Sequence, residues 1–258
     1  MDILIAVLIL GGVALILGLL LSYASKVFAV EQDEKELALR EALPGANCGA
    51  CGYAGCDGYA EALNKGEVEP NLCAPGGNDT AKALGEILGV EVSLISKKAV
   101  VKCKGCNQNA SFRYDYSGLN SCASAMTISG GPKECNFGCL GLGDCMRACE
   151  FNAITLKNGL PQINLNICGG CGSCAAACPK EIISITEFPF KPTVLCKSHD
   201  KGAIARKICK ASCIGCGICV KNCESGAITV TDFLAEIDPQ KCTGCGACIT
   251  KCPQKCIE

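Results

Sequence analysis

The amino-acid sequence predicts an α+β protein with an N-terminal transmembrane helix, a small mostly helical domain and two similar modules of short strands and helices. Three observations lead to this fold class. Residues 3–21 are all apolar or glycine, 26 of the 258 residues are cysteine, and a strand–turn–strand pattern occurs twice in the second half of the chain. The expected domains are residues 1–27, 28–100, 101–190 and 191–258.

The N-terminal segment favours a helix that crosses a membrane once. It carries no charge from residue 3 to Ser25, and at about 1.5 Å per residue it is long enough for a hydrocarbon core of about 30 Å. A cleaved signal peptide is the alternative, but the segment has no basic start and its apolar part exceeds about 7–15 residues. Because Lys26 and Lys35 follow the segment, we expect a cell-membrane protein, with lipid as a partner and its soluble part in the cytoplasm.

The first soluble domain contains four cysteines and two stretches with helical character. The stretches are DGYAEALNKGE, which follows Cys56, and TAKALGEILG, which follows an Asn78-Asp79 start. The cysteine spacing is x2, x4 and x16. The four residues are Cys48, Cys51, Cys56 and Cys73.

The rest of the chain contains a twofold repeat. Residues 151–168 and 225–242 share an Ala-Ile-Thr strand, a turn, an isoleucine-rich return strand and a final cysteine. In both copies one run of cysteines precedes this hairpin and another follows it. The repeat predicts two related modules, each with eight cysteines in two runs.

The spacing within these runs indicates iron–sulfur clusters. Cys-x2-Cys-x2-Cys-x3-Cys crowds four thiols into a volume too small for two disulfides. Structural zinc normally takes two separated Cys-x2-Cys pairs, whereas three closely spaced cysteines with a fourth before proline are typical of bacterial ferredoxins. A structural zinc or disulfide protein is the alternative.

We therefore expect two bacterial-type two-[4Fe–4S] ferredoxin modules, in which the last cysteine of each run binds the neighbouring cluster. A fifth [4Fe–4S] cluster is expected in the first domain, with a two-iron cluster as the alternative. The five ligand sets are Cys48, Cys51, Cys56 and Cys73; Cys135, Cys139, Cys145 and Cys178; Cys149, Cys168, Cys171 and Cys174; Cys213, Cys216, Cys219 and Cys252; and Cys223, Cys242, Cys245 and Cys248.

Some cysteines do not fit this pattern. The run that begins at Cys135 is spaced x3, x5 and x3, which departs from the regular spacing of x2, x2 and x3. Cys103-x2-Cys106 suggests a sixth metal site, but no fourth partner is evident, and buried thiols are the alternative. The cysteines outside the five sets are Cys103, Cys106, Cys122, Cys196, Cys209 and Cys256.

Composition argues for an electron carrier without catalytic residues. The formal net charge is −1, which gives no support to nucleic-acid binding. No phosphate-binding loop is present. The glycines at 11–18 are not a dinucleotide-binding fingerprint, because they lie inside the apolar segment. The single histidine, His199, lies in a lysine-rich loop, where we expect a solvated side chain. Nicotinamide or flavin chemistry would then belong to partner subunits.

The segment NCGACGYAGCDGYAEAL with Cys73 resembles the four-Fe–S domain found in B subunits of Rnf complexes and in corrinoid iron–sulfur proteins. With the apolar N-terminal segment, GCLGLGDC and CTGCGACITKCPQKC, the chain resembles the family of Rnf B subunits over nearly its whole length. The resemblance implies an electron-transfer subunit of an ion-translocating ferredoxin:NAD oxidoreductase, with soluble ferredoxin and the other membrane and peripheral subunits as partners. The alternative is a membrane-tethered polyferredoxin that serves a hydrogenase or a corrinoid-reactivating enzyme.

A basic stretch at residues 196–210 has two open interpretations. Its net charge is +4, from five basic residues and Asp200. Acidic ferredoxins would be steered toward such a surface, or the cations would balance the negative clusters nearby. The basic residues are Lys197, Lys201, Arg206, Lys207 and Lys210.

Overall fold

The structure is a computed structural model that describes the backbone of residues 2–27, 33–92 and 96–258. Side chains are described for residues 11–24, 33–92 and 96–258. Ser25, Lys26 and the expected domain boundary at 27/28 lie outside the described side chains.

Helix α1 spans Asp2–Val27, but the predicted fold class is wrong in making this element a transmembrane helix. Among the described residues, no helix has both the length and the apolar character needed to cross a membrane.

Within residues 33–92 the first domain contains three helices: α2 (Glu34–Ala42), α3 (Cys56–Asn64) and α4 (Gly77–Leu88). Both predicted helical stretches are helices. Gly89 ends α4 with a φ of 71°, in the left-handed region that favours glycine at this position. The buried hydroxyl of Tyr59 donates a hydrogen bond of 2.8 Å to the carbonyl of Glu69. The apolar core between the helices contains Leu39, Leu43, Tyr59, Ala60, Leu63 and Leu84.

The first cysteine-rich module is closed by two antiparallel strands that lie far apart in sequence. Strand β1 (Ser96–Val101) pairs with β4 (Ile183–Phe188), with Ser96 opposite Phe188. Strands β2 (Ile154–Lys157) and β3 (Leu160–Ile163) form the hairpin between them. Strand β1 runs across the expected boundary at residue 100. The short helices of this module are α5 (Cys122–Met126), α6 (Asp144–Arg147) and α7 (Ser173–Ala176).

The second module repeats this arrangement in a shorter form. Its hairpin consists of β5 (Ile228–Thr231) and β6 (Leu234–Ile237) and has the same register as the first hairpin. Residues 193–195 pair with residues 256–258 through a bridge between Val194 and Ile257. The helices are α8 (Gly202–Ile208), α9 (Ile218–Lys221) and α10 (Ala247–Lys251).

Cysteine side chains form much of the core in both modules. Four of the nine buried core residues of the first module are cysteines, and the same is true of the second. The buried core of the first domain contains none. The two modules therefore depend on what the thiols bind, whereas the first domain also has an apolar core of its own.

Candidate metal centres

Four cysteine runs share one backbone geometry. In each run two glycines, one residue apart, have φ between 62° and 87°, a region that side chains other than glycine rarely adopt. The second glycine precedes a helix of four or five residues that contains a buried cysteine. The turns place backbone N–H groups near sulfur, as where Gly244 N donates to Cys242 Sγ at 3.4 Å. The glycine pairs are Gly141 and Gly143, Gly170 and Gly172, Gly215 and Gly217, and Gly244 and Gly246.

These glycines show how the irregular run is built. Gly141 and Gly143 have the same conformation as the pairs in the regular runs. Cys139 and Cys145 therefore correspond to the first and third cysteines of a regular run. The position of the middle cysteine is occupied by Leu142, and Cys135 lies outside the turn. The Gly-x-Gly-x-Cys spacing carries this signal in the sequence, although the cysteine spacing hides it.

A cysteine that sequence reasoning left unassigned lies next to this incomplete run. Cys122 lines one cavity together with three predicted ligands, Cys139, Cys145 and Cys178. Its side chain is buried, and it opens helix α5. The structure thus brings together three members of the predicted second set and places Cys122, not Cys135, with them.

Asp144 holds helix α5 against the irregular cysteine run that contains Cys139 and Cys145. Its Oδ2 accepts hydrogen bonds from Ala123 N at 2.9 Å and from Ser121 Oγ at 3.1 Å. Burial alone raises the pKa of this carboxyl, but the backbone N–H groups of Ala123 and Cys122 outweigh it, and the pKa of Asp144 lies below its usual value. Because Asp144 precedes Cys145 in the sequence, its ionised carboxylate holds Cys122 close to Cys145.

Cys135 lies in a separate cavity. The other cysteines around that cavity are Cys103, Cys196 and Cys209, none of which belongs to a predicted set. The four come from widely separated parts of the chain, so no local spacing marks them.

Three of the four predicted cysteines of the first domain, Cys51, Cys56 and Cys73, pack against its apolar core. Cys56 begins that helix, and its N–H donates to Asn47 Oδ1 at 2.8 Å. Burial raises the pKa of Cys73, and the other three thiols raise it further because like charges repel. Cys73 therefore lies within electrostatic reach of the other three thiols, as a shared site requires. The three neighbours are Cys48, Cys51 and Cys56.

The third predicted set also converges. Burial raises the pKa of Cys174 to about 11, with further contributions from Cys171, Cys168 and Cys149. Cys145 also contributes, which places the neighbouring site close by. Ala153 N donates to Cys149 Sγ at 3.4 Å.

The second module contains the two remaining predicted sets. One cavity is lined by Cys213, Cys216, Cys219 and Cys252, together with Cys256. Burial raises the pKa of Cys248, and the nearby thiols of Cys242 and Cys245 raise it further. Cys223, the fourth member of that set, packs against the same core as Cys248.

Cys256 is a buried thiol close to ligands of the first of these sets. Its sulfur lies 3.6 Å from Cys252 Sγ. A hydrogen bond from the Cys256 thiol lowers the pKa of Cys213. Cys256 is buried beside the four predicted ligands that line the same cavity.

The chemistry of these donor sets fits iron–sulfur clusters. Burial raises the pKa of Cys139 to about 12 and that of Cys145 to about 11, so thiols packed together in this way ionise only against a compensating cation. Among the described residues, no group of three or more His, Cys, Asp or Glu side chains is arranged to hold a single metal ion.

Three family models match parts of the chain. The model described as "Putative Fe-S cluster" matches residues 43–75, and "4Fe-4S binding domain" matches residues 161–184. The model described as "4Fe-4S dicluster domain" matches residues 212–256. These matches support [4Fe–4S] clusters as the cofactor class.

Similar proteins extend over almost the whole chain. The B subunit of the Na(+)-translocating ferredoxin:NAD(+) oxidoreductase complex of Acetobacterium woodii is 44% identical over 99% of this chain and 77% of its own length. The B subunit of the ion-translocating oxidoreductase complex of Methanosarcina acetivorans is 43% identical over 97% of this chain and 96% of its own. The corresponding protein of Clostridium ljungdahlii, named as proton-translocating, is 41% identical over 78% of this chain and 72% of its own. The chain therefore belongs to the family of B subunits of ion-translocating oxidoreductase complexes, the Rnf B subunits.

Proposed function

We propose that the chain is an electron-transfer subunit that accepts electrons from reduced ferredoxin within an ion-translocating ferredoxin:NAD oxidoreductase. The observation that carries this proposal is similarity to B subunits over 97–99% of the chain, combined with cysteine sets that converge in space. The proposed setting is a membrane complex, because ion translocation requires a membrane. The proposal does not include a membrane span in this chain.

Five [4Fe–4S] clusters belong to this proposal, each able to take up and release one electron when bound. Four sets are those expected from the sequence. In the remaining set Cys122 takes the place of Cys135, because Cys122 shares the cavity of Cys139, Cys145 and Cys178.

Short distances along the chain hold the sites of each module together. Cys145 and Cys149 are four residues apart in the sequence and belong to different sets, as do Cys174 and Cys178. The same crossing occurs in the second module. Neighbouring sites therefore share a rigid backbone, which keeps the donor and acceptor of an electron at a fixed separation.

The first domain contacts the first module directly beside two proposed sites. A Cβ built on Gly169 would lie 2.7 Å from the carbonyl oxygen of Ala74, so only glycine permits this approach. Ala74 follows Cys73, and Gly169 follows Cys168. This contact offers a route for electrons between the two sites.

Replacing Gly169 by valine is expected to slow electron transfer between the first domain and the first module. The new side chain must displace the Ala74 segment, which increases the distance between the two sites although no cysteine is replaced. Stopped-flow spectroscopy of full-length protein mixed with reduced ferredoxin should show that the slowest phase of cluster reduction is several-fold slower than in wild type. Gly58→Ala is the control, because its Cβ would meet Tyr53 at an ordinary 3.9 Å. An unchanged rate would argue against this route.

Helix α8 offers a surface for an acidic ferredoxin. Lys201, Arg206 and Lys207 are exposed at or within this helix. None of them forms an ion pair among the described residues. Lys197 instead donates to the carbonyl of Glu181 at 2.8 Å. Unpaired exposed cations favour docking over a purely internal role.

Reversing Lys201, Arg206 and Lys207 to glutamate is expected to raise the Michaelis constant for ferredoxin about tenfold or more at low salt. The increase should shrink as salt rises, because screening weakens steering between exposed charges. The control changes Lys82, Lys157 and Lys251 to glutamate. These exposed residues lie outside helix α8, so the net charge changes by the same amount but not at the proposed docking surface. Equal effects from both variants would show that net charge, not this surface, governs the encounter.

The proposed function is tested by purifying the chain anaerobically from native membranes and identifying the subunits that accompany it. The expected partners are those of a ferredoxin:NAD oxidoreductase, and reduced ferredoxin should bleach the visible absorption of the chain. Isolation with a hydrogenase or a corrinoid protein would replace this proposal with the polyferredoxin alternative. Colourless protein without acid-labile sulfide would overturn both.

A further inference from the structure

Four cysteines that no family model covers line one cavity of the structure. They are Cys103, Cys135, Cys196 and Cys209. The matched segments end or begin elsewhere, at residues 43–75, 161–184 and 212–256. Cys135 and Cys209 are buried and the other two are partly buried. This count of four sulfurs around one volume is the count that a [4Fe–4S] cluster requires.

The backbone around this cavity is built to bring distant segments together. Residues 109–113 lie between residues 132–134 and residues 208–210. On one side Phe112 bridges to Lys133, and on the other Ala110 bridges to Cys209. Hydrogen bonds of 2.9 Å from Ser111 N to Ile208 O and from Glu134 N to Ser111 O fix the arrangement. Cys135 and Cys209 are thereby held on the same face.

The sulfurs are approached by backbone N–H groups, as ligand sulfurs of clusters are. Cys103 Sγ accepts from Gly105 N and from Cys139 N, each at 3.4 Å. Ser198 N lies 3.5 Å from Cys196 Sγ. A Cβ built on Gly105 would lie 3.5 Å from the sulfurs of both Cys103 and Cys209, so these two thiols flank the same short stretch of backbone.

A buried lysine provides an independent indication of an anion in this cavity. Lys133 lines it and is only 2% exposed. Its ammonium group donates to Gly105 O at 2.7 Å and lies 5.8 Å from the centre of the Phe112 ring. No carboxylate pairs with it among the described residues. Burying an ammonium group without an anion is costly, and a cluster held by four thiolates is a net anion.

We propose that Cys103, Cys135, Cys196 and Cys209 bind a sixth [4Fe–4S] cluster, with Lys133 as its buried counter-charge. The proposal rests on the proposed function, in that it adds one cluster to the five. It completes a set of four cysteines around Cys103. Cys106 and Cys256 are then the two cysteines outside all sets.

The position of this site connects the two modules. On one side, Cys139 of the Cys122 site donates its N–H to Cys103 Sγ. On the other side, Cys196 packs against the buried core that contains Cys213, and Cys213 belongs to the first set of the second module. The sixth site therefore lies between the proposed clusters of the two modules, where an electron passing from one to the other needs a carrier.

The test is the iron and acid-labile sulfide content of full-length protein prepared anaerobically. Wild type should contain about 24 iron atoms, four for each of six clusters. Cys209→Ala and Cys196→Ala should each lose about one sixth of the iron and one [4Fe–4S] signal in quantified electron paramagnetic resonance of the reduced protein. The matched control is Cys106→Ala, which lies in the same loop as Cys103 and should keep the full count.

Each outcome decides between specific possibilities. About 20 iron atoms in wild type, with electron transfer from ferredoxin intact, would overturn the sixth site and leave the proposed function standing. Loss of a cluster in Cys106→Ala but not in Cys196→Ala would overturn the ligand assignment. Lys133→Met keeps all four cysteines, so it should retain the iron but lower the potential of one cluster. An unchanged set of potentials would remove Lys133 from the proposal.

Discussion

Replacing Cys122 by serine is expected to remove one [4Fe–4S] cluster from the protein, although no regular cysteine motif contains this residue. Cys122 shares a cavity with Cys139, Cys145 and Cys178, and three thiolates leave one iron without its sulfur ligand. Spin quantification of the reduced protein should give one cluster fewer than wild type. Iron per chain should fall by about one to four atoms, depending on whether the damaged cluster is lost completely.

Double variants separate this assignment from the set expected from the sequence. Cys122→Ser combined with Cys178→Ala should lose no more clusters than either change alone, because both residues belong to one site. Cys122→Ser combined with Cys135→Ser should lose two, because the cavities of Cys122 and Cys135 differ. If the losses from Cys122 and Cys135 do not add, the two cysteines share one cluster and the assignment to separate sites is incorrect.

Removing iron with a chelator under reducing conditions is expected to unfold both cysteine-rich modules while the first domain keeps part of its helical structure. Four of nine buried core residues in each module are cysteines, whereas α2, α3 and α4 pack around an apolar core without a buried cysteine. Structural metal sites contribute on the order of 10 kcal/mol to folding, comparable with the whole stability of a domain, which is about 5–15 kcal/mol.

Limited proteolysis followed by mass spectrometry measures this difference. Residues 96–258 should be cleaved rapidly after chelation, and fragments from residues 33–92 should persist longer. Restoring iron and sulfide should restore resistance, which serves as the control for damage by the chelator. Uniform resistance of the whole chain without iron would show that the thiols are packed as an ordinary core.

Much of the architecture could be predicted from the sequence because it depends on local spacing. The two Ala-Ile-Thr hairpins are present at the predicted repeat positions. The Gly-x-Gly turns lie within the cysteine runs. Helices α3 and α4 occur where apolar periodicity indicated them, but the expected Asn78-Asp79 start is wrong, because α4 begins at Gly77 after Gly76 and has no side-chain cap. The N-terminal element is the exception, since a run of apolar residues predicted a membrane span that the described part of α1 does not support.

The remaining sites could not be predicted because their residues meet only through long-range pairing. Residues 109–113 pair on both sides with segments that are about 20 and about 100 positions away, which is why Cys135 and Cys209 meet. Cys122 approaches Cys145 through one carboxylate, Asp144, which the sequence gives no reason to single out. The strand β1 belongs to the first module because of its pairing with β4, and its own residues do not indicate that partner.

The crossing of ligands between sites has a consequence for how the protein is made. As the chain leaves the ribosome, the first domain has all its ligands once Cys73 has emerged. Cys122, Cys135 and Cys139 then remain without a complete ligand set, because their sites are completed only when Cys178 or Cys209 has been synthesised. Newly made chain therefore carries several reduced, unfilled thiols for a long stretch of synthesis, and the cell must protect these from oxidation until the cofactors are inserted.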